Sequence, residues 1–189
     1  MTAASVIPGY VAGSWTIDPV HSEIGFAVRH LMVSKIRGRF LEYTATITTA
    51  ENMFDSHVEA EIEMASIDTG NDLRDNDLRS NNFFDVPTNP KMIFRSTGIR
   101  PDGADFLLDG GLTVRGVTKP VTLKVEFGGF GPDPDGGTRA GFSATTEINR
   151  HDFGVSGNAV LEGGGVMIGD KVTISLEIEA VRSQPHSTA

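Results

Sequence analysis

The stretch Asp18–Leu31, DPVHSEIGFAVRHL, decides the fold. From Ser22 it alternates with a period of two. Ser22, Ile24, Phe26, Val28 and His30 fall on one face, and Glu23, Gly25, Ala27, Arg29 and Leu31 on the other. The first face is mostly apolar, which predicts a strand with that side turned inward. It ends in a histidine, and a His-Ser pair stands just before the strand begins.

The same pattern recurs along the chain. HVEAEIEMAS sets Val58, Ala60, Ile62 and Met64 against His57, Glu59, Glu61 and Glu63, a dry face and an acidic one. Val172, Ile174, Leu176, Ile178 and Ala180 share a face in DKVTISLEIEAV. Similar faces are Phe106, Leu108, Leu112 and Val114; Val121, Leu123, Val125 and Phe127; Ala140, Phe142, Ala144, Thr146 and Ile148; and Met92, Phe94 and Ser96. In KIRGRFLEYTATITTA the phase changes after Phe40, so that Leu41, Tyr43, Ala45 and Ile47 share a face, and a bulge at or near Gly38 is expected. RGVTKP reads as a hairpin turn and GGFGPDPDGGT as a long mobile loop. TGNDLRDNDLRSNNFF lacks alternation; it predicts a short polar helix that turns Leu73 and Leu78 to the body and stops before DVPTNP.

About eight or nine strands, mostly antiparallel, and one helix predict a closed barrel or a sandwich. A barrel of about eight strands holds its own side chains or one small ligand. Small inward residues, Ala60, Gly110, Ala140, Ala144 and Ala180, suggest that space is left inside.

The 189 residues suit one domain, and 39% hydrophobic residues suffice for a core. A net charge of −9 speaks against nucleic acid as a partner. The absence of cysteine excludes disulfides, thiolate catalysis and Cys-ligated zinc. The start, MTAASVIPGYVAGSW, has neither a basic region nor a continuous apolar core, so cytoplasmic residence is expected.

Five histidines, His21, His30, His57, His151 and His186, show no HExxH or HxH spacing, and a metal site would need His21, His30 and His151 to converge. His57 and His186 are expected to be solvated, and His151 to lie in a loop. Asp18, His21 and Ser22 spell a triad only on paper, because adjacent residues of a strand point apart and no GxSxG elbow is present. The plainer expectation is a turn whose side chains bond backbone at the strand start. GNAVLEGGGVMIGDK reads as a flexible loop, since no strand-loop-helix unit surrounds its glycines. LRDNDLRS is either a solvated helix with local ion pairs among Arg74, Asp75, Asp77 and Arg79, or a gate over one end of the barrel.

WTIDPVHSEIGFAVRH, GRF at Gly38–Phe40, LRDNDLRSNNFFDV, NPKMIFRS, LTVRGVTKPVTL, INRHDFGV and IGDKVTISLEIEA follow one another between Trp15 and Val181. This ordered set resembles the YceI-like family of lipocalin-like, polyisoprenoid-binding proteins. The resemblance implies an all-β fold, an eight-stranded antiparallel lipocalin-like barrel with a short capping helix. It implies an N-terminal extension over residues 1–13, the barrel over 14–182 and a flexible tail over 183–189. It further implies non-catalytic binding or carriage of a polyisoprenoid or other long-chain lipid, without cofactor or metal, a homodimer, and transient membrane contact. Many members carry a histidine where this chain has Asp77. On this reading Ile24, Phe26, Val28, Phe40, Ile62, Met64, Phe94, Leu108, Phe142, Met167 and Ile174 form the tunnel wall, and His30 is the polar group beside it. Two rival readings stand beside it: an enzyme on a lipid-like substrate with His30 or His21 as general base, which lacks a clear acid-base pair, and an interaction module with a filled interior.

Overall fold

The computed structural model describes residues 7–158 and 167–183. Its strands are β1 (Gly13–Ile17), β2 (Glu23–His30), β3 (Ser34–Phe40), β4 (Tyr43–Thr49), β5 (His57–Glu63), β6 (Ile67–Asp68), β7 (Lys91–Asp102), β8 (Asp105–Val114), β9 (Val117–Pro132), β10 (Thr138–Asn149) and β11 (Ile168–Arg182), with one helix, α1 (Asp72–Arg79), between β6 and β7. All pairings are antiparallel, and β1 pairs with β11 to close the sheet. The strand pairs β1–β2, β3–β4 and β5–β6 are each one broken stave, so the sheet is an eight-stranded barrel.

The breaks explain the phase changes in the sequence. Between β1 and β2 the chain turns at Asp18, whose carboxylate accepts from Val20 N (2.9 Å). Ser22 Oγ accepts from Glu179 N at 3.0 Å and donates to Glu179 O at 3.2 Å. Of the His-Ser pair, Ser22 bonds backbone as expected, whereas His21 bonds the Asp18 carboxylate (2.8 Å), and Ser22 does not engage His21. Between β3 and β4 the break lies at Leu41–Glu42 and not at Gly38. Both amides donate to Ser66 Oγ, at 3.1 and 3.0 Å, and Leu41 is left exposed. Gly38 serves a different need: the Phe26 ring lies over it, 2.3 Å from where a Cβ would sit.

Two bulges bring further residues inside. The β9–β10 register slips between Gly141 and Phe142, so Phe130, three residues after Phe127, also faces inward. The segment expected to be a long loop is strand as far as Pro132. Phe130 packs on Trp15 (5.6 Å between ring centroids) and Phe127 (4.8 Å). A second slip, between Ser96 and Gly98, turns Ile99 opposite Leu108.

Not every small inward residue leaves space. Ala140 and Ala180 are covered by Trp15, which is 1% exposed. Gly110 lies under the Phe94 ring, whose Cε2 and Cζ are 2.5 Å from where a Cβ would stand. Ala60 and Ala144 do border open space.

The helix is shorter than the polar stretch that encodes it. Asn71 Oδ1 accepts from Arg74 N (3.0 Å) at its start, and Ser80 follows its end. Leu78 packs inward, but Leu73 is 83% exposed. Residues five apart lie about 140° apart around a helix, so the two leucines cannot share a face. Asp75 is buried instead, accepting from the backbone and hydroxyl of Thr69. The expected ion pairs within the helix are replaced by ties to backbone: Arg79 donates to Ala65 O and Ile67 O, and Arg74 to Thr69 O, each at 2.9 Å. These bonds fasten α1 across one end of the barrel.

At the opposite end, the described part of the N-terminal extension, residues 7–12, is tied to the barrel. The Tyr10 hydroxyl donates to Ala50 O at 2.6 Å. Beside this end Arg139 joins three carboxylates, Asp18 (2.7 Å), Glu179 (2.6 Å) and Asp133 (3.2 Å). The C-terminal tail beyond Ser183, with His186, and residues 159–166 of the expected glycine loop lie outside the described residues.

Two stability measurements check this packing. Gly110→Ala should cost about 1–3 kcal/mol by forcing Phe94 aside, read as a drop in Tm; Gly141→Ala, with open space around it, should leave Tm unchanged. The second concerns acid. The hydrogen bond from Arg139 holds the Asp18 carboxyl far below the usual carboxylate range, helped by His21. A depressed pKa stabilises the fold above the unfolded value of about 3.9 and loses that contribution as pH falls below it. Asp18→Asn should therefore lower the Tm near neutrality and flatten its decline below pH of about 4.

Candidate functional site

The inner face of the barrel lines two neighbouring cavities. One, of about 240 Å³, lies toward the Trp15 end, and the other, of about 520 Å³, lies beneath α1. Ile24, Met92 and Ile174 border both and form the waist between them. The period-two register explains the apolar lining: every second residue of each stave faces in, and most of those residues are Ile, Val, Leu, Met, Phe or Ala.

The structure distributes the expected wall residues over both spaces. Ile62, Phe94, Leu108 and Phe142 border the smaller cavity; Phe26, Val28, Phe40, Met64 and Met167 border the larger; Ile24 and Ile174 border both. His30 lies at the end of β2, half-buried on the wall of the larger cavity. Among the described residues its ring has no hydrogen-bond partner.

The two ends differ chemically. The smaller cavity is lined at its end by Ile7, Tyr10 and Met53, and its walls are apolar except for a few hydroxyls such as Thr49 and Thr146. The larger cavity carries Arg29, His30, Asn71, Arg74, Asp77 and Arg150 among its lining residues. Most of these are already engaged. Arg74 is bonded to Thr69, and Asp77 accepts from Asn82 Nδ2 at 3.0 Å. Arg150 is buried, and its guanidinium donates to Gly169 O (2.9 Å), Val155 O (2.8 Å) and Gly157 O (2.9 Å). Burial draws its pKa below the usual arginine value, and the carbonyl dipoles hold the cation in place.

Arg150, Ile7 and Tyr10 had not been expected in the site. The signal for Arg150 was present: it continues the inward series Ala144, Thr146, Ile148 by one more step. Tyr10 and Ile7 had no such signal, because their segment carries no repeat and docks only through tertiary contacts.

The histidines do not converge. His21 precedes β2 and His30 ends it, so the length of the strand separates them, roughly 23 Å at about 3.3 Å per residue. His21 Nδ1 donates to Asp18 at 2.8 Å, on the exposed rim and away from both cavities. Asp18 raises the pKa of His21. His151 is an exposed partner of Asp170 (2.8 Å). Neither His21 nor His151 can serve as a base inside the lumen. Asp18, His21 and Glu179 bring three potential ligand atoms within 4.8 Å of one another, but Arg139 Nη1 bonds both carboxylates there and fills the place of a cation.

The comparisons with known proteins agree with this architecture. A UPF0312 protein of Staphylococcus epidermidis is 38% identical over 167 residues, covering 87% of this chain and 95% of its own. One from Photorhabdus laumondii is 40% identical over 146 residues, covering 76% of each. Among solved structures, the YceI protein of Campylobacter jejuni superimposes with a TM-score of 0.71 at 29% identity, covering 82% of this chain and 90% of that one. A polyisoprenoid-binding domain from Saccharophagus degradans has the same fold, with a TM-score of 0.65 at 17% identity over 89% of this chain and 98% of that one. The model of the YceI-like domain matches residues 15–180, from the buried Trp15 to the buried Ala180, and this chain belongs to the YceI-like family.

Proposed function

We propose that the protein binds and carries one long-chain amphiphilic lipid, without chemistry on it. The observation that carries this reading is the accessibility of the inner face. Along β11 the inward residues Val172, Ile174, Leu176 and Ile178 are only half-buried, although they point into a closed barrel. In a filled core such residues would be close-packed. Here they border space, and apolar surface facing water is a standing driving force for an apolar guest. Each methylene taken from water contributes about 0.8 kcal/mol.

The shape and polarity of the lumen suggest the ligand class. Two cavities in line favour an elongated chain. The apolar end near Trp15 suits the tail, and the end beneath α1, with His30, suits a polar head. An isoprenoid is the favoured chain, because the related domain from Saccharophagus degradans binds polyisoprenoids. Among the described residues no titratable group is bonded to His30, so nothing there favours acid-base catalysis over carriage.

The test is organic extraction of native protein followed by mass spectrometry, paired with uptake of a fluorescent prenol by Val28→Trp. Extracts are expected to contain a long-chain amphiphile. The variant should keep its ligand-free Tm and lose uptake. Empty extracts together with no uptake by the wild type would refute carriage. A large fall in the ligand-free Tm of the variant would mark Val28 as packed core.

His30→Leu separates head from tail. Because the ring bonds to nothing among the described residues, its loss should leave the ligand-free Tm unchanged or slightly higher. Affinity for a prenol should fall about threefold to tenfold, the worth of roughly one hydrogen bond, while a matched hydrocarbon keeps its affinity. Equal losses for both ligands would mark His30 as a plain wall residue.

A further inference from the structure

The turn between β2 and β3 is built against its own interests. His30 O accepts from Val33 N (3.1 Å), so Leu31 and Met32 occupy the two central positions. Both have positive φ, 51° and 59°. Three residues, Leu31 to Val33, join the paired His30 and Ser34, and left-handed positions in such a turn favour Asn or Gly, because they cost other residues about 1 kcal/mol or more. Leu31, Met32 and Val33 are also exposed, by 39%, 58% and 81%. The isolated fold gains nothing from either feature.

The surroundings indicate what covers this tip. On the outer face behind it, Arg29 stands directly opposite Lys35, and Arg37 follows one step along β3. Among the described residues none of these three has an ion-pair partner, whereas Arg39 is paired with Asp68 at 3.3 Å. Acids on the neighbouring elements are largely engaged: Asp170 accepts from His151 and Asp77 from Asn82, leaving Asp72 as a local counter-charge among the described residues. Leu73, the most exposed large apolar residue on α1, borders the same cavity as Arg29 and His30. The rim of the larger cavity thus presents an apolar tip backed by unpaired cations, on a chain whose net charge is −9.

We infer that this rim docks on an anionic lipid bilayer, with Leu31, Met32, Val33 and Leu73 entering the interface and Arg29, Lys35 and Arg37 facing the head groups. This rests on the lipid-carrier reading and gives it a route: the mouth of the larger cavity would lie against the membrane from which a lipid enters. Apolar insertion and attraction between cations and an anionic surface are the two components of such binding.

The test uses sedimentation of the full chain with vesicles of phosphatidylcholine containing about one third phosphatidylglycerol. The wild type is expected to sediment with them and to be released by high salt. Lys35→Glu with Arg37→Glu should weaken partitioning by roughly fivefold or more per site, since each cation near an anionic surface is worth about 1 kcal/mol. Leu31→Asn with Met32→Gly should abolish binding while raising Tm by about 2–4 °C, because it relieves the turn. Uptake of a detergent-dispersed prenol by both double variants should be unchanged, which separates docking from carriage. Wild-type protein that ignores the vesicles, or variants that bind them as well as wild type, would overturn the inference. So would a shift from dimer to monomer on substituting Leu31 and Met32, which would make the tip an interface between two copies.

Discussion

The structure depends on closure of one sheet upon itself at β11. This strand pairs with β2 through its first part, from Ile168 to Glu177, and with β1 through its last, from Ala180 to Arg182. The broken stave β1–β2 fits it only because the polar groups of the intervening turn are satisfied by Glu179, through Ser22 and the Asp18 amide. Closure removes the sheet edges that would otherwise invite pairing with other chains. It also fixes the diameter, because strand number and stagger set the size of a barrel. The walls cannot then collapse to fill space that the side chains leave open. The lumen follows from that rigidity.

The two ends of this lumen are finished in opposite ways. At one, Trp15, Phe130, Ala140 and Ala180 pack tightly, and Tyr10 is tied to Ala50. Next to them Arg139 gathers three acids into a polar clasp. At the other, α1 is held over the opening by arginines that bond backbone carbonyls, and Arg150 and Arg115 fix the loops around it in the same manner. A guanidinium with five donors can hold several carbonyls at once without a carboxylate. The result is a lumen with one apolar end and one more polar end, the polarity of an amphiphile.

The staves were legible because a one-step change in register would move every inward residue outside. That is why Ile62, Leu108 and Ile174 could be assigned to the interior from alternation alone. Its failures occur where the period is interrupted. Phe130 is turned inward by a bulge at Gly128, and the β3–β4 break is fixed by Ser66, a residue far along the chain. Leu73 was misplaced because two leucines in a polar helix were given a common face that helical geometry denies them. Small residues proved ambiguous for the same reason: Gly110 is filled by a ring from the neighbouring strand, and Ala144 is not. Which of the two occurs depends on pairs across the sheet, and those are not written in any one segment. The docking of residues 7–12 depends likewise on contacts with Ala50, Ser56 and Phe130.

The central claim is that a long apolar chain occupies the lumen through its waist. Methyl NMR during titration with a prenol tests it most directly. The account predicts saturable shifts at Ile24, Val28, Leu108 and Ile174, with intermolecular contacts from the ligand chain to the methyls on both sides of the waist, and little change at the outward Val20 and Leu41. Shifts confined to outward methyls, or none at all in protein shown to be free of lipid, would contradict it.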